Sequence, residues 1–373
     1  MKNKIHNYDF LVIGAGLIGS LTAISLLKNK YKVLVIDKNK HFPQDNRTLA
    51  VNANSKDFLM NLGLWDKLKV NPEPINKIEI SDTINKSPLI FENLNEEMGN
   101  VILNKDLLLE TKRFLSNKNI LIEGLNIDIS KIKPNQKIKI KFKNYFFKKI
   151  ILCLGKNYNN DPTIKKFRFP SLHQSYVGFF DHSHKHNQTA YEIFTPDGPL
   201  AVLPAPSKLK KTSTFIYSTA KKISNDDIQK IIKNYFSKTH GLINFKKKIN
   251  QYKILPHLSK EKFNQFILIG DILRSIHPVA GQGWNLGIKD IQKLIVLLNQ
   301  NYINDPNLLD KYYNQRSIES FTYLAFTSLI NKVYENQNPL NIAIIKSGFG
   351  ILRKSSLLKN AFIKQAMGRL NLI

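Results

Sequence analysis

The chain is short of cysteine, of acid and of long apolar runs. Among 373 residues the only cysteine is Cys153. That excludes an internal disulfide framework and any cysteine-based zinc site, and no metal ligands are read from the sequence. No window holds the roughly 18 uninterrupted apolar residues of a membrane-spanning helix. The first residues, Met1 to Asn7, are basic but lack the apolar stretch of a signal peptide. These absences lead us to expect a cytoplasmic protein. Acidic residues number 28 against 56 Lys+Arg, a formal net charge of +28. One reading of that excess is a composition biased towards Lys, Asn and Ile throughout. The other is attraction to an anionic membrane surface. No nucleic-acid motif accompanies the charge, so no nucleic-acid partner is expected.

Apolar residues make up 42% of the chain, ordinary for a folded protein, and the length suits about two domains. The most informative stretch runs from Tyr8 to Gly19. The apolar strand Phe10-Leu11-Val12-Ile13 leads into Gly14-Ala15-Gly16-Leu17-Ile18-Gly19, and a helical pattern follows to Leu27. A second strand, Lys32 to Ile36, ends on Asp37. Strand, glycine turn, helix and strand ending in an acid form a dinucleotide-binding βαβ unit. Gly14 lets the chain leave the strand sharply, Gly16 leaves room for a pyrophosphate, and Gly19 lets helix and strand approach. The helix N-terminus offers unpaired N–H groups to phosphate, and Asp37 can accept from a ribose hydroxyl. The motif alone does not choose between NAD and FAD.

Downstream, Arg47 follows a polar loop, either a holder of a cofactor phosphate or a solvated surface arginine. A helical pattern is read from Ser55 to Leu68, with strands from Ile75 to Ile90 and a helix from Asn104 to Leu115. A strand at Ile120 to Glu123 follows, and then a long strand ending in the continuously apolar Ile150-Ile151-Leu152-Cys153-Leu154. Strands at Ser171–Phe180, Thr189–Phe194, Leu200–Pro204 and Thr214–Ser218 look antiparallel, with a Pro-Asp-Gly turn at 196–198. They mark a second domain. A helix is read from Asp226 to Phe236.

A second glycine-rich junction lies at 266–287. The strand Phe266 to Asp271 is followed by Arg274-Ser275-Ile276-His277-Pro278-Val279-Ala280-Gly281-Gln282-Gly283-Trp284-Asn285-Leu286-Gly287, and a helix from Ile288 to Leu298. Asp271 is placed to accept from a ribityl hydroxyl. The Gly281–Gly283 loop can present N–H groups to the pyrimidine edge of a flavin, a fixed electrostatic support. From Pro306 onward the pattern is helical, and Leu340 to Gly368 mixes apolar and basic residues with no acid. Such a segment either lies on an anionic membrane or packs on the protein's own core.

On these motifs the chain resembles the class A flavin monooxygenases of the ubiquinone-biosynthesis hydroxylase family. The likeness rests on Gly14 to Gly19, on Arg47 with Leu62-Gly63-Leu64-Trp65, on Gly198 to Pro204, on Gly270-Asp271 and on His277 to Gly287. It implies an α/β fold like that of para-hydroxybenzoate hydroxylase: a Rossmann-like FAD-binding domain, an interleaved antiparallel sheet as substrate domain, and C-terminal helices. The implied division is 1–75, 101–170 and 256–300 for FAD, 76–100 and 171–255 for substrate, and 301–373 helical. It implies FAD as cofactor and NAD(P)H as co-substrate. It also implies molecular oxygen and a polyprenylated phenol as reactants, and a place at the inner membrane or in a ubiquinone-biosynthesis complex. The cofactor contacts it implies are Gly14, Ala15, Gly16, Leu17, Ile18, Gly19, Asp37, Lys38, Arg47, Gly270, Asp271, Pro278, Gly281, Gln282, Gly283 and Asn285. His277 is the candidate general base. The alternative readings are a non-catalytic flavin-binding component, or a flavoenzyme acting on another aromatic or isoprenoid substrate. Two departures stand out. Leu154-Gly155 occupies the place of the family's Asp-Gly, and Ile272-Leu273-Arg274 that of Ala-Ala-His, which puts large residues where small ones are expected beside the flavin.

Overall fold

The computed structural model describes residues 5–40, 47–93, 95–155, 158, 164–169, 174–207, 210–245, 248–261, 265–277, 282–300 and 303–370. Its α-helices are α1 (Leu17–Lys28), α2 (Ala53–Asn61), α3 (Asn104–Asn117), α4 (Asn225–His240), α5 (Gln282–Gln300), α6 (Leu308–Glu335), α7 (Pro339–Lys354) and α8 (Ser356–Ala366).

The first sheet carries five parallel strands in the order Phe266–Leu268, Lys143–Leu152, Ile5–Ile13, Val33–Asp37, Leu121–Glu123. Alternate residues of one strand face opposite sides. Phe10, Val12, Val33 and Val35 pack with α1 and α5. Leu11, Ile13, Leu34 and Ile36 pack into a second cluster on the other face. Both faces are covered, so these strands read as unbroken apolar runs. The long strand expected to end in the apolar run 150–154 is present as Lys143–Leu152, parallel to both neighbours, and the chain just before it forms a hairpin with it. Lys141, with φ +54°, turns Lys137–Ile140 back antiparallel on Lys143–Leu152.

The second sheet draws strands from 77–92 and 174–253. It is not wholly antiparallel, because Thr189–Thr195 runs parallel to Lys77–Asp82. Helix α4 covers one face, where Ile228, Ile232 and Phe236 meet Tyr176, Phe215 and Tyr217. By strand alternation, Ser175, Val177 and Ile216 turn to the opposite face.

Two helices differ from the sequence pattern. The helix expected over Ser55–Leu68 ends at Asn61, because Gly63 adopts φ +67° and its N–H donates to the Met60 carbonyl. A separate short turn holds Trp65–Lys67. The helix expected from Ile288 begins at Gln282, so Gly283, Asn285 and Gly287 are helical residues rather than loop.

Candidate functional site

The opening strand delivers Gly14 at φ +102°. A Cβ there would lie 2.4 Å from the Cys153 carbonyl oxygen, and one on Gly19 would lie 1.8 Å from the Gly14 carbonyl oxygen. Only glycine permits these two approaches. Gly16 is the opposite case: a Cβ on it would meet nothing within 4 Å. It is the N-cap of α1, with no side-chain cap and no acid in the first turn. An uncapped helix start with open space before it suits an anion.

Asp37 braces this turn. Its Oδ2 accepts from the Ala15 N–H at 2.6 Å and its Oδ1 from the Asn39 N–H at 2.7 Å. The acid thus holds the glycine turn against the second strand while it lines a cavity of about 970 Å³. That size lies near the top of the range for small-molecule and cofactor sites.

The same cavity is lined by residues from both glycine-rich junctions. Gly14, Gly16, Leu17, Ile18, Gly19, Asp37, Lys38 and Arg47 come from the first, and Asp271 and Gly283 from the second. Gly283 also has nothing within 4 Å of a built Cβ. The two junctions meet at Ile18, whose Cγ2 and Cδ1 lie 3.1 and 2.7 Å from Cβ positions built on Gly270 and Gly287. Gly270, at φ +76°, donates its N–H to Asp290 Oδ2 at 3.0 Å.

Other expected residues lie elsewhere. Ala15 and Gly270 are buried behind the wall, and Gln282 is not part of the lining. Buried Asn285 ties α5 to the strand Thr48–Asn52, donating to the Ala50 carbonyl at 2.9 Å and accepting from the Asn52 N–H at 3.1 Å. The candidate base His277 is 3% exposed and does not line the cavity. Pro278 and Gly281 lie outside the described residues. Ile272 and Leu273 point into the core with Phe147, Leu152 and Phe266. Their bulk is therefore absorbed away from the cavity, contrary to the sequence expectation. Leu154 and Gly155 do line it.

The opposite wall was not foreseen. Ser175, Val177, Ile216, Tyr252 and Lys253 line the cavity from the second sheet. Their register puts them together: Tyr252 pairs with Ser175, and Ile216 with Val177. Arg47 bridges the two walls, its guanidinium 5.4 Å from the centre of the Tyr252 ring, within cation–π range. Trp284 also lines the cavity. Lys38, Arg47 and Lys253 place cations around it, against Asp37 and Asp271. Burial pushes the Cys153 thiol up to about 12. It is therefore a neutral wall residue at neutral pH, not a nucleophile. Among the described residues no group of His, Cys, Asp and Glu is arranged to hold a metal.

The family model for an FAD binding domain matches residues 7–108 and 158–323. The chain belongs to this FAD-binding family. Its members' cofactor fits the open cradle at Gly16 and the uncapped start of α1. The chain is 23% identical to the ubiquinone hydroxylase UbiL of Rhodospirillum rubrum, over 98% of this chain and 90% of the relative. It is 22% identical to the mitochondrial ubiquinone biosynthesis monooxygenase COQ6 of Caenorhabditis elegans, over 96% and 95%. In fold it is similar to the p-nitrophenol 4-monooxygenase PnpA of Pseudomonas putida DLL-E4. That match has a TM-score of 0.76 at 13% identity and covers 99% of this chain and 100% of the other.

Proposed function

We propose that this FAD-binding protein is a monooxygenase that hydroxylates the aromatic ring of a polyprenylated phenol in ubiquinone biosynthesis, using NAD(P)H and molecular oxygen. The observation that carries the reading is the shared cavity. One side is built from two glycine-rich βα junctions of the parallel sheet, the other from the face of the second sheet that α4 leaves open. The full-length similarity to UbiL and COQ6 supports the substrate class.

In this reading Gly14, Gly16, Gly19, Asp37 and Lys38 hold the ADP half of FAD. Arg47 and Asp271 hold its phosphate and ribityl regions, and the start of α5 abuts the ring system. The flavin supplies the redox chemistry when bound. The chain's own residues position and enclose it. The N–H groups at the start of α1 and the cations Lys38 and Arg47 balance phosphate charge. Val177 and Ile216 offer an apolar surface to an aromatic ring, and Tyr252 caps it beside Arg47. We read the parallel-sheet segments as the cofactor domain and strands 77–92 and 174–253 as the substrate domain. The substrate is strongly apolar, so we place the enzyme at the surface of the inner membrane.

The test is direct. The purified protein should be yellow, oxidise NAD(P)H, and add one oxygen atom to a polyprenylated phenol, read by mass. A gain of two hydrogens points to an isoprenoid reductase instead. A second reading is favoured by Leu154, which faces the cavity where the family has an acid. In it the chain is a flavin-binding component of a biosynthetic complex, and FAD binds without NAD(P)H turnover.

A further inference from the structure

Helix α6 is arranged with its apolar stripe outward. Ile318, Phe321 and Phe326 are each 57% exposed and Leu329 is 61% exposed. At 3.6 residues per turn the four lie within an arc of about 140°, one broad outward face. Apolar Leu308, Leu309, Tyr312 and Tyr334 are buried towards the two ends of α6, but over its middle, 316–331, the buried residues are Leu324 together with Arg316, Glu319, Ser320, Thr327 and Asn331. A helix folded only for its own core would show the reverse. The two buried charges have partners: Arg316 donates to Asp290 at 2.6 Å, and Lys289 to Glu319 at 3.1 Å. Charge pairing beneath its middle and apolar packing at its two ends hold α6 in this orientation, and the stripe is left facing out.

Its neighbours continue the pattern. Ile330, Val333 and Tyr334 of α6 pack in one cluster with Ile345 and Phe349 of α7 and Phe362 of α8. Beyond that cluster, Leu340, Ile344, Ile351 and Leu357 are exposed. From 336 to 370 the sequence holds Lys346, Arg353, Lys354, Lys359, Lys364 and Arg369 and no Asp or Glu. None of these helices is long and apolar enough to cross a membrane.

We infer that α6, α7 and α8 form a docking face for an anionic lipid bilayer, with the α6 stripe entering the interface and the α7–α8 cations meeting the headgroups. The proposal rests on the membrane placement argued above and names the surface that makes it. Charge decides between occupants. A second copy of a chain carrying +28 would be repelled, whereas an anionic bilayer is attracted. Interfacial helices of this kind combine apolar burial with basic residues at the headgroup level.

The experiment uses the full-length FAD-loaded protein and sedimentation with vesicles of phosphatidylcholine containing phosphatidylglycerol, against pure phosphatidylcholine. The wild type should bind the anionic vesicles and release at high salt. The double variant Phe321→Glu/Phe326→Glu should lower partitioning at least about 10-fold. The triple variant Lys346→Gln/Lys354→Gln/Lys359→Gln should lower it on the order of 100-fold, about five-fold per cation. Both should keep their flavin, melting temperature and turnover of a short-tailed soluble phenol. Unchanged partitioning of the Phe321→Glu/Phe326→Glu variant overturns the proposal. So does a variant that splits a dimer while leaving lipid binding intact, since the face would then be an interface between copies. Vesicle binding without phenol hydroxylation supports the docking face and removes the hydroxylase reading.

Discussion

Ile18, in the first turn of α1, packs into a notch whose floor is Gly287 of α5, its Cδ1 only 2.7 Å from where a Cβ on Gly287 would sit. This contact sets the distance between the two glycine-rich junctions. A Gly287→Ala substitution should gain about 1 kcal/mol of helix propensity and lose about 1–3 kcal/mol to overpacking. We expect a net destabilisation with Ile18 present. In an Ile18→Ala background the clash is gone and the same substitution should stabilise. A double-mutant cycle in urea checks the change of sign; additive effects contradict the contact.

Asp290 is fully buried and serves three donors: Gly270 N–H at 3.0 Å, Arg274 Nη2 at 2.7 Å and Arg316 Nε at 2.6 Å. Removing it leaves two buried guanidinium groups without their shared acid. Asp290→Ala should therefore cost about 3–5 kcal/mol and loosen the turn at Gly270. Equilibrium unfolding measures it, and a loss below about 1 kcal/mol would show that the acid is not the hub drawn here.

Acid should destabilise the second sheet first. His182, His186 and His240 are buried together, with the His182 and His240 rings 4.6 Å apart. Burial, aided by mutual repulsion, pushes His186 down to about 4 and His240 to about 3, and lowers His182. These groups are neutral in the fold and titrate near 6.5 when unfolded. The unfolded chain then binds more protons, so stability is complete above about 6.5 and falls as pH drops towards 4. Glu73 beside His186 is shifted up by burial and opposes this. Melting temperature against pH should show the decline, and His240→Phe, placed among Phe180, Tyr191 and Phe236, should flatten it. An unchanged slope in that variant would remove the histidines as the cause.

The parts of the site that were legible in the sequence are those in which neighbours in sequence are neighbours in space. The turn from Gly14 to Gly19 and the acid at Asp37 sit in one βαβ unit, where period and glycine spacing suffice. The wall formed by Ser175, Val177, Ile216 and Tyr252 was not legible, because it depends on which distant strands pair and in which register. Glycines misled the reading of α5. Gly283 and Gly287 suggested a loop, yet Gly287 is a helical residue kept small by Ile18. Ile272 and Leu273 looked like intrusions beside the flavin, because sequence does not say which way a side chain turns after Gly270.

The account turns on one flavin held by both junctions at once. Gly16 and Gly283 lie far apart in sequence, line one cavity, and each has nothing within 4 Å of a built Cβ. FAD titration of the deflavinated protein, followed by flavin fluorescence, tests this with Gly16→Val and Gly283→Val. One FAD per wild-type chain, with binding lost or greatly weakened in both variants at unchanged melting temperature, is the predicted result. A wild type that takes up no FAD, or full affinity in either variant, would contradict it.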